Sequence, residues 1–344
     1  MASSSRHGRL LCRKIAALLP GLAAVALIAA VAVPLGQRAP LVGAPVIAIL
    51  LGVTVSSFRP LDQRFTPGIR LISKRVLQWS VIMLGTGLSL REVVSVGASS
   101  FPVLAGTLSV AFLAAVVAGR LLGISRDCRA LIGVGTAICG ASAIAAVDSV
   151  IGAAAVDVSY SVATIFTFNV IAVLVFPSLG HLFGMSQHAF GLWAGTAVND
   201  TSSVVAASTV FGHAARNYAV VVKLTRTLMI VPITAVVAAL YSRRSSDQSS
   251  SRTRREVIRA APWFIVWFVV AVSLNTLRVI PNGWHPALSE AATVMITAAL
   301  GAIGLSTRVG SLRGVGLRPL LLGAVLWFSV AATSIAIQVA TGRL

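Results

Sequence analysis

Eleven apolar segments of helical length follow one another along the chain. They lie at about 15–35, 40–57, 71–90, 101–123, 131–150, 157–178, 188–210, 215–241, 261–280, 286–305 and 319–341. Most run to roughly 17–25 residues, enough to carry an α-helix across a ~30 Å hydrocarbon core, and none shows the ~10-residue alternation of a barrel strand. Lipid offers no partner to a backbone N–H or C=O, so segments of this length must satisfy their own as helices. The pattern therefore predicts an all-α polytopic membrane protein. Composition agrees: of 344 residues only 11% are charged, against about 25% in soluble domains. The first run, Ile15 to Leu35, is too long for a secretory signal and reads as a retained helix.

The formal net charge of +19 would suggest nucleic acid in a soluble protein. Here the basic residues sit between the apolar runs, where they set topology and meet lipid headgroups. Alternate connections are loaded: the N-terminus, residues 59–75, 120–129, 243–259 and 308–318 hold 21 of the 28 Lys and Arg, and the other connections hold five. The positive-inside rule then places the N-terminus in the cytoplasm and the C-terminus outside. The Ser- and Arg-rich stretch at about 242–260 reads as a flexible cytoplasmic loop within one membrane domain spanning 1–344.

Two internal matches break this regular pattern. "GTAICGASAI" (Gly135–Ile144) aligns without a gap with "GTAVNDTSSV" (Gly195–Val204). Leu84–Gly106 likewise aligns with Gly301–Gly323, sharing a GLS-x-R core at Gly87 and Gly304. By the charge count the second pair turns on opposite sides of the membrane, as inverted repeats of secondary transporters do. The decamers leave two topologies open. Either all eleven segments span, or nine span and the segments at 131–150 and 188–210 are re-entrant or broken. Both put irregular backbone at membrane depth, which is tolerated only inside protein or along a cavity.

The polar residues of these segments are the candidate binding site. The first patch is Gly135, Thr136, Gly140 and Ser142; the second is Gly195, Thr196, Asn199, Asp200, Thr201 and Ser202. Glycines loosen the helix, and N–H groups at a helix start bind anions. Small-residue packing between helices is the simpler alternative for the first patch. "NDTSS" at mid-membrane is costly unless it is functional or paired. Lys223 and Arg226 lie i, i+3 on one helix face, with Arg226 near the middle of a helix expected from about 216 to 243. Asp200 can neutralise only one of them, so a mobile anion is the expected partner of the other, and Arg226 is expected to be needed for flux but not for expression. Asn169 is a further polar residue at depth, equally explained by an interhelical hydrogen bond. Asp148, Asp157, His188 and His213 fall near segment ends and read as interfacial. The three cysteines, Cys12, Cys128 and Cys139, have no metal-ligand spacing. No nucleotide-binding motif, metal motif or catalytic triad spacing occurs, so no enzyme activity, cofactor or metal is expected.

At "GTAICGASAIAA", "GLWAGTAVNDTSSVVAAS" and "VVKLTRTLMIVP" the chain resembles the YeiH-like family of bacterial inner-membrane proteins. Those carry the label of sulfate exporters, and the family is similar in turn to bile-acid/sodium symporters and cation/proton antiporters. The resemblance implies inverted repeats, crossing broken helices, alternating access and an inner-membrane location. Many relatives have a His where this chain has Asn199, which argues against a His-based proton relay here. The leading expectation is a secondary exporter or exchanger of a small inorganic or sulfur-containing anion, of the sulfate or sulfite class. Lys223 and Arg226 would attract it, the Ser and Thr hydroxyls would bind it, and Asp200 would take up a proton. A cation/proton antiporter using Asn199–Asp200 is the alternative, and a non-transporting scaffold or sensor a third. Expected partners are the anion, membrane lipids and a coupling proton or sodium ion, with a homo-oligomer left open and no nucleic acid.

Overall fold

The computed structural model describes residues 2–38, 43–58, 61–230, 232–234, 236–237, 263–306 and 316–343, with 2–16 as backbone only. Among them every regular element is helical. Five helices are long and apolar enough to cross a membrane: Ala17–Gly36 within α1 (Ala2–Arg38), α5 (Leu90–Leu121), α8 (Ala155–Leu182), α13 (His285–Ser306) and α14 (Leu317–Ala340). Shorter apolar helices lie within α2 (Gly43–Phe58), at α10 (Thr201–Phe211) and at α12 (Trp263–Thr276). The loop at 242–260 and the turn at 307–315 of the second internal match lie outside the described residues.

The chain divides into two compact units, one of residues 1–87 and 270–311, the other of 88–269 and 312–344. In the first, α1, α2 and α13 pack with α3 (Thr66–Leu71), which continues through a π turn (Ile72–Val76) into α4 (Leu77–Gly85). A Cβ on Gly52 would come within 2.5 Å of the Gly301 carbonyl, and one on Gly304 within 2.4 Å of the Ile49 carbonyl. Small residues let α2 and α13 touch backbone to backbone, the usual source of helix association where lipid removes the hydrophobic drive. Ser56 Oγ closes that contact on the Gly304 carbonyl at 3.3 Å.

The second unit holds the candidate site. Its first helix, α5, starts at Leu90, about three turns earlier than its apolar run suggests. Ser89 accepts from the Glu92 N–H, and Glu92 takes the Ser89 N–H at 2.7 Å. This capping box satisfies two orphan donors and fixes the start.

The two decamers are the tips of two helical hairpins. α6 (Arg126–Ala137) opens on Ser125, whose hydroxyl accepts from Cys128 N and donates to Asp157 at 3.0 Å. Cys128 lies 3.7 Å from Ser161, and a Cβ on Gly135 would meet Ile165. Ascending numbers on α6 meet ascending numbers on α8, so the two run parallel. The helix between them, α7 (Ala141–Ile151), must therefore run back. The second hairpin repeats this. Gly191 of α9 (Gln187–Ala197) faces Ala215 and Ala219 of α11 (His213–Leu228), and Gly195 faces Ala219 and Val222. Phe190, early in α9, stacks on Phe211, at the end of α10, at 3.9 Å. Thus α10 returns to where α9 began.

α8 sets the hairpins head to head. α6 starts beside the first turn of α8, whereas α9 starts beside its last, where Gly180 packs on Phe190 and His181 stacks on Phe211 at 4.4 Å. The hairpins therefore dip from opposite ends of one 28-residue helix. Their arms of 11 or 12 residues are about 16–18 Å long, roughly half the hydrocarbon thickness. Each decamer segment is thus two short helices folded back on each other, not one continuous helix.

Candidate functional site

The matched decamers place their helix ends at equivalent residues, though the backbone of the two breaks differs in conformation. α6 ends at Ala137 and α9 at Ala197; α7 starts at Ala141 and α10 at Thr201. Between them lie two irregular residue triplets, 138–140 and 198–200, and they touch. A Cβ on Gly140 would lie 3.4 Å from Asp200 Cβ and 3.7 Å from the Asn199 carbonyl carbon. Gly140 has φ +69° and ψ −131°, a region that side-chain-bearing residues avoid. Gly140→Ala is expected to lose about 1–3 kcal/mol to this strain, seen as a lower melting temperature of the purified protein. Unchanged melting would show that the break is not held by this conformation.

Four helix ends meet at the crossing, and they differ in how they are satisfied. The C-terminal ends of α6 and α9 are filled by cations from α11. Arg226 Nε donates to Ala137 O at 2.6 Å, Nη2 to Thr136 O at 2.5 Å and Nη1 to Thr196 O. Lys223 Nζ donates to Ile138 O at 3.0 Å and Val198 O at 2.8 Å. Both side chains are 0% exposed. Carbonyl ends carry the negative pole of the helix dipole, which explains why two cations are stable there. The surplus charge that sequence reasoning assigned to a mobile anion is thus partnered by backbone. Arg226 also sits in the last turn of α11, because the helix stops at Leu228, instead of midway along an unbroken helix.

The N-terminal ends are the positive poles. At α10, Asp200 is the N-cap: it accepts from Ser203 N at 2.7 Å and from the Ser202 hydroxyl at 2.5 Å. Asp200 and Thr201 are partly exposed, and Ser202 is nearly buried. At α7 the N-cap is Gly140, which supplies no side-chain acceptor, and Ser142, the second residue of the helix, is exposed.

Other candidates have structural roles. The Thr196 hydroxyl is bound to Leu192 O and to Ser334 of α14, both at 2.7 Å. Gly135 and Gly195 are packing positions against α8 and α11. Thr136 contributes its carbonyl. Asn169, midway along α8, accepts from Asn199 N at 3.1 Å, so the interhelical bond exists and its distal partner is the break itself. Asp157 takes the Ser125 hydroxyl and Asp148 the Ala153 N–H, in keeping with helix-end positions. Cys128 and Cys139 are buried free thiols; the Cys12 side chain lies outside the described residues. Sequence reading missed Ser334, and Trp193, which is buried against Phe176 and donates to Ala331 O at 3.1 Å. Neither has a local pattern, because each is defined by the contact between α9 and α14.

A cavity of about 380 Å³ opens where α9 begins, lined by Ser99, His188, Ala189, Leu192, Tyr218 and Arg343. Leu192 is seven residues before Asn199, a rise of about 10 Å along a helix, so the cavity lies on the α9 approach to the crossing.

The family model described as conserved hypothetical protein 698 matches residues 20–323. A UPF0324 membrane protein of Streptococcus agalactiae is 40% identical over 332 residues, covering 94% of this chain and 98% of its own length. One from Fusobacterium nucleatum is 38% identical over 324 residues, 88% of this chain and 92% of the relative. One from Streptococcus mutans is 39% identical over 330 residues, 93% and 96%. The resemblance to the YeiH-like family read from the three motifs holds at this level, and the chain belongs to the UPF0324 family of membrane proteins.

Proposed function

We propose that the protein is a secondary transporter, not an enzyme, that carries a small inorganic or sulfur-containing anion by alternating access at the hairpin crossing. One observation carries this reading. Lys223 and Arg226 occupy the carbonyl ends of α6 and α9, and Asp200 caps the start of α10, so the start of α7, whose N-cap Gly140 supplies no acceptor, is the electropositive end that remains to meet a ligand. Each helix end is worth about half a charge, and the two C-terminal and two N-terminal ends cancel. The side chains then leave two positive charges against the single negative one of Asp200. Local charge favours a monoanion, and a cation would find its carbonyl ligands already taken.

Roles follow from position. The first-turn N–H groups of α7, with Ser142 and Thr201, bind the anion, while the Ser202 hydroxyl stays on Asp200. Lys223 and Arg226 set the potential without touching it. Asp200 takes up the coupling proton, and the cavity beside His188 is the approach on the α9 side. With the basic loops cytoplasmic, the first hairpin enters from the cytoplasm and the second from outside of a bacterial inner membrane.

The test is counterflow of labelled sulfate and sulfite in proteoliposomes against protein-free vesicles, with wild type beside Ser142→Leu, which blocks the tip without removing any bond described here. Flux above the vesicle background that Ser142→Leu abolishes supports the reading. Sodium-driven proton release indifferent to every anion would replace it with the cation/proton antiporter.

A further inference from the structure

Two buried polar atoms at the crossing have no hydrogen-bond partner: Asn169 Nδ2 and Asn199 Oδ1. Both residues are almost fully buried, 2% and 1% exposed. Such orphans are rare, and each calls for an explanation. Their position is fixed by the bond from Asn199 N to Asn169 Oδ1 at 3.1 Å, which also sets which end of the Asn169 amide is the donor. The two orphans thus belong to the two residues joined by that bond, at the break where Gly140 lies against Asn199 and Asp200. One orphan is a donor and the other is an acceptor.

An acceptor is the wrong group for a fully deprotonated oxyanion, which has only lone pairs to offer. It suits an oxyanion that keeps one hydroxyl. We propose that the crossing selects a monoanionic oxyanion retaining one proton, the class of bicarbonate and hydrogen sulfite, with Asn169 Nδ2 donating to an anionic oxygen and Asn199 Oδ1 accepting from the ligand's hydroxyl. This rests on the anion-carrier reading and narrows its substrate from the sulfate or sulfite class to the protonated member. It agrees with the local balance of two positive charges against one. Sulfate, a dianion with no hydroxyl, leaves Asn199 Oδ1 unpaired in the complex. An unmet buried acceptor of this kind is how a site rejects a near-isostere.

Binding of four sodium salts to the purified full-length protein in detergent tests this: bicarbonate, hydrogen sulfite, nitrate and sulfate, followed by calorimetry. Wild type is expected to bind the first two and to bind nitrate more weakly. Asn169→Leu removes a donor to charge together with the acceptor of Asn199 N, and should weaken all oxyanions alike, by about 10–100-fold. Asn199→Leu removes the acceptor and leaves the Asn169 donor in place, so it should weaken bicarbonate and hydrogen sulfite about tenfold and affect nitrate far less. Asn199→Ser keeps a small acceptor and should restore part of the preference, which guards against a folding defect in the Leu variant. Equal losses for nitrate and bicarbonate in Asn199→Leu, or a wild-type preference for sulfate, would overturn the assignment while leaving an anion carrier standing. Binding of none of the four would remove the carrier reading and this one with it.

Discussion

Arg226→Met is expected to destabilise the folded protein by about 3–5 kcal/mol, a loss at the extreme of single substitutions. The guanidinium serves Thr136, Ala137 and Thr196 carbonyls at once, in a site with no exposure. Each orphaned buried acceptor costs roughly 1–3 kcal/mol, and methionine fills the volume without restoring a donor. Arg226→Lys should recover only part of the loss, because an ammonium is a point charge and lacks the planar fork that spans both hairpins. Thermal melting of the purified variants by size-exclusion chromatography decides it. A wild-type melting profile for Arg226→Met would mean that the crossing is not held by this side chain, and would return it to the role of an anion ligand. The sequence expectation is an Arg226 variant that loses flux but not expression; the carbonyl partners of Arg226 favour a variant that also accumulates less.

Asp200→Asn is expected to do the opposite, abolishing proton coupling while sparing the fold. Asn caps a helix about as well as Asp, so the bond from Ser203 N survives. The variant cannot bind or release a proton at that position. Anion flux in proteoliposomes should persist but no longer respond to an imposed pH gradient. Asp200→Ala is the structural control, losing the cap for about 1 kcal/mol. Gradient-dependent flux that survives Asp200→Asn would place the coupling group elsewhere.

The partner of the buried cations shows why part of the site was not legible in sequence. Pairing was sought among side chains, and only Asp200 was at hand. The actual partners are five backbone carbonyls, which every sequence contains and none advertises. They become acceptors only where a helix ends, and both ends here lie in segments whose hydropathy is continuous. By contrast, Ser89 and Glu92 carried a readable capping signature that set the start of α5 further back than apolarity did. Unit organisation was also beyond reach. Both copies of the second internal match carry the chain across a unit boundary, at Gly87/Leu88 and Ser311/Leu312, but nothing local says which helices share a unit.

The sequence by itself determined the membrane class, the all-helical elements and the position of the two breaks. Apolar length and internal pairing of the backbone leave no other structure in lipid, and the repeated decamer marks two equivalent breaks. Only the tertiary structure decided that each break is a hairpin tip, that the tips meet midway along α8, and that Lys223 and Arg226 serve the carbonyl ends. A broken crossing helix and a folded-back one have the same composition and the same hydropathy. What separates them is lateral contact, such as Ser125 with Asp157 and Phe190 with Phe211, between residues that the sequence places apart.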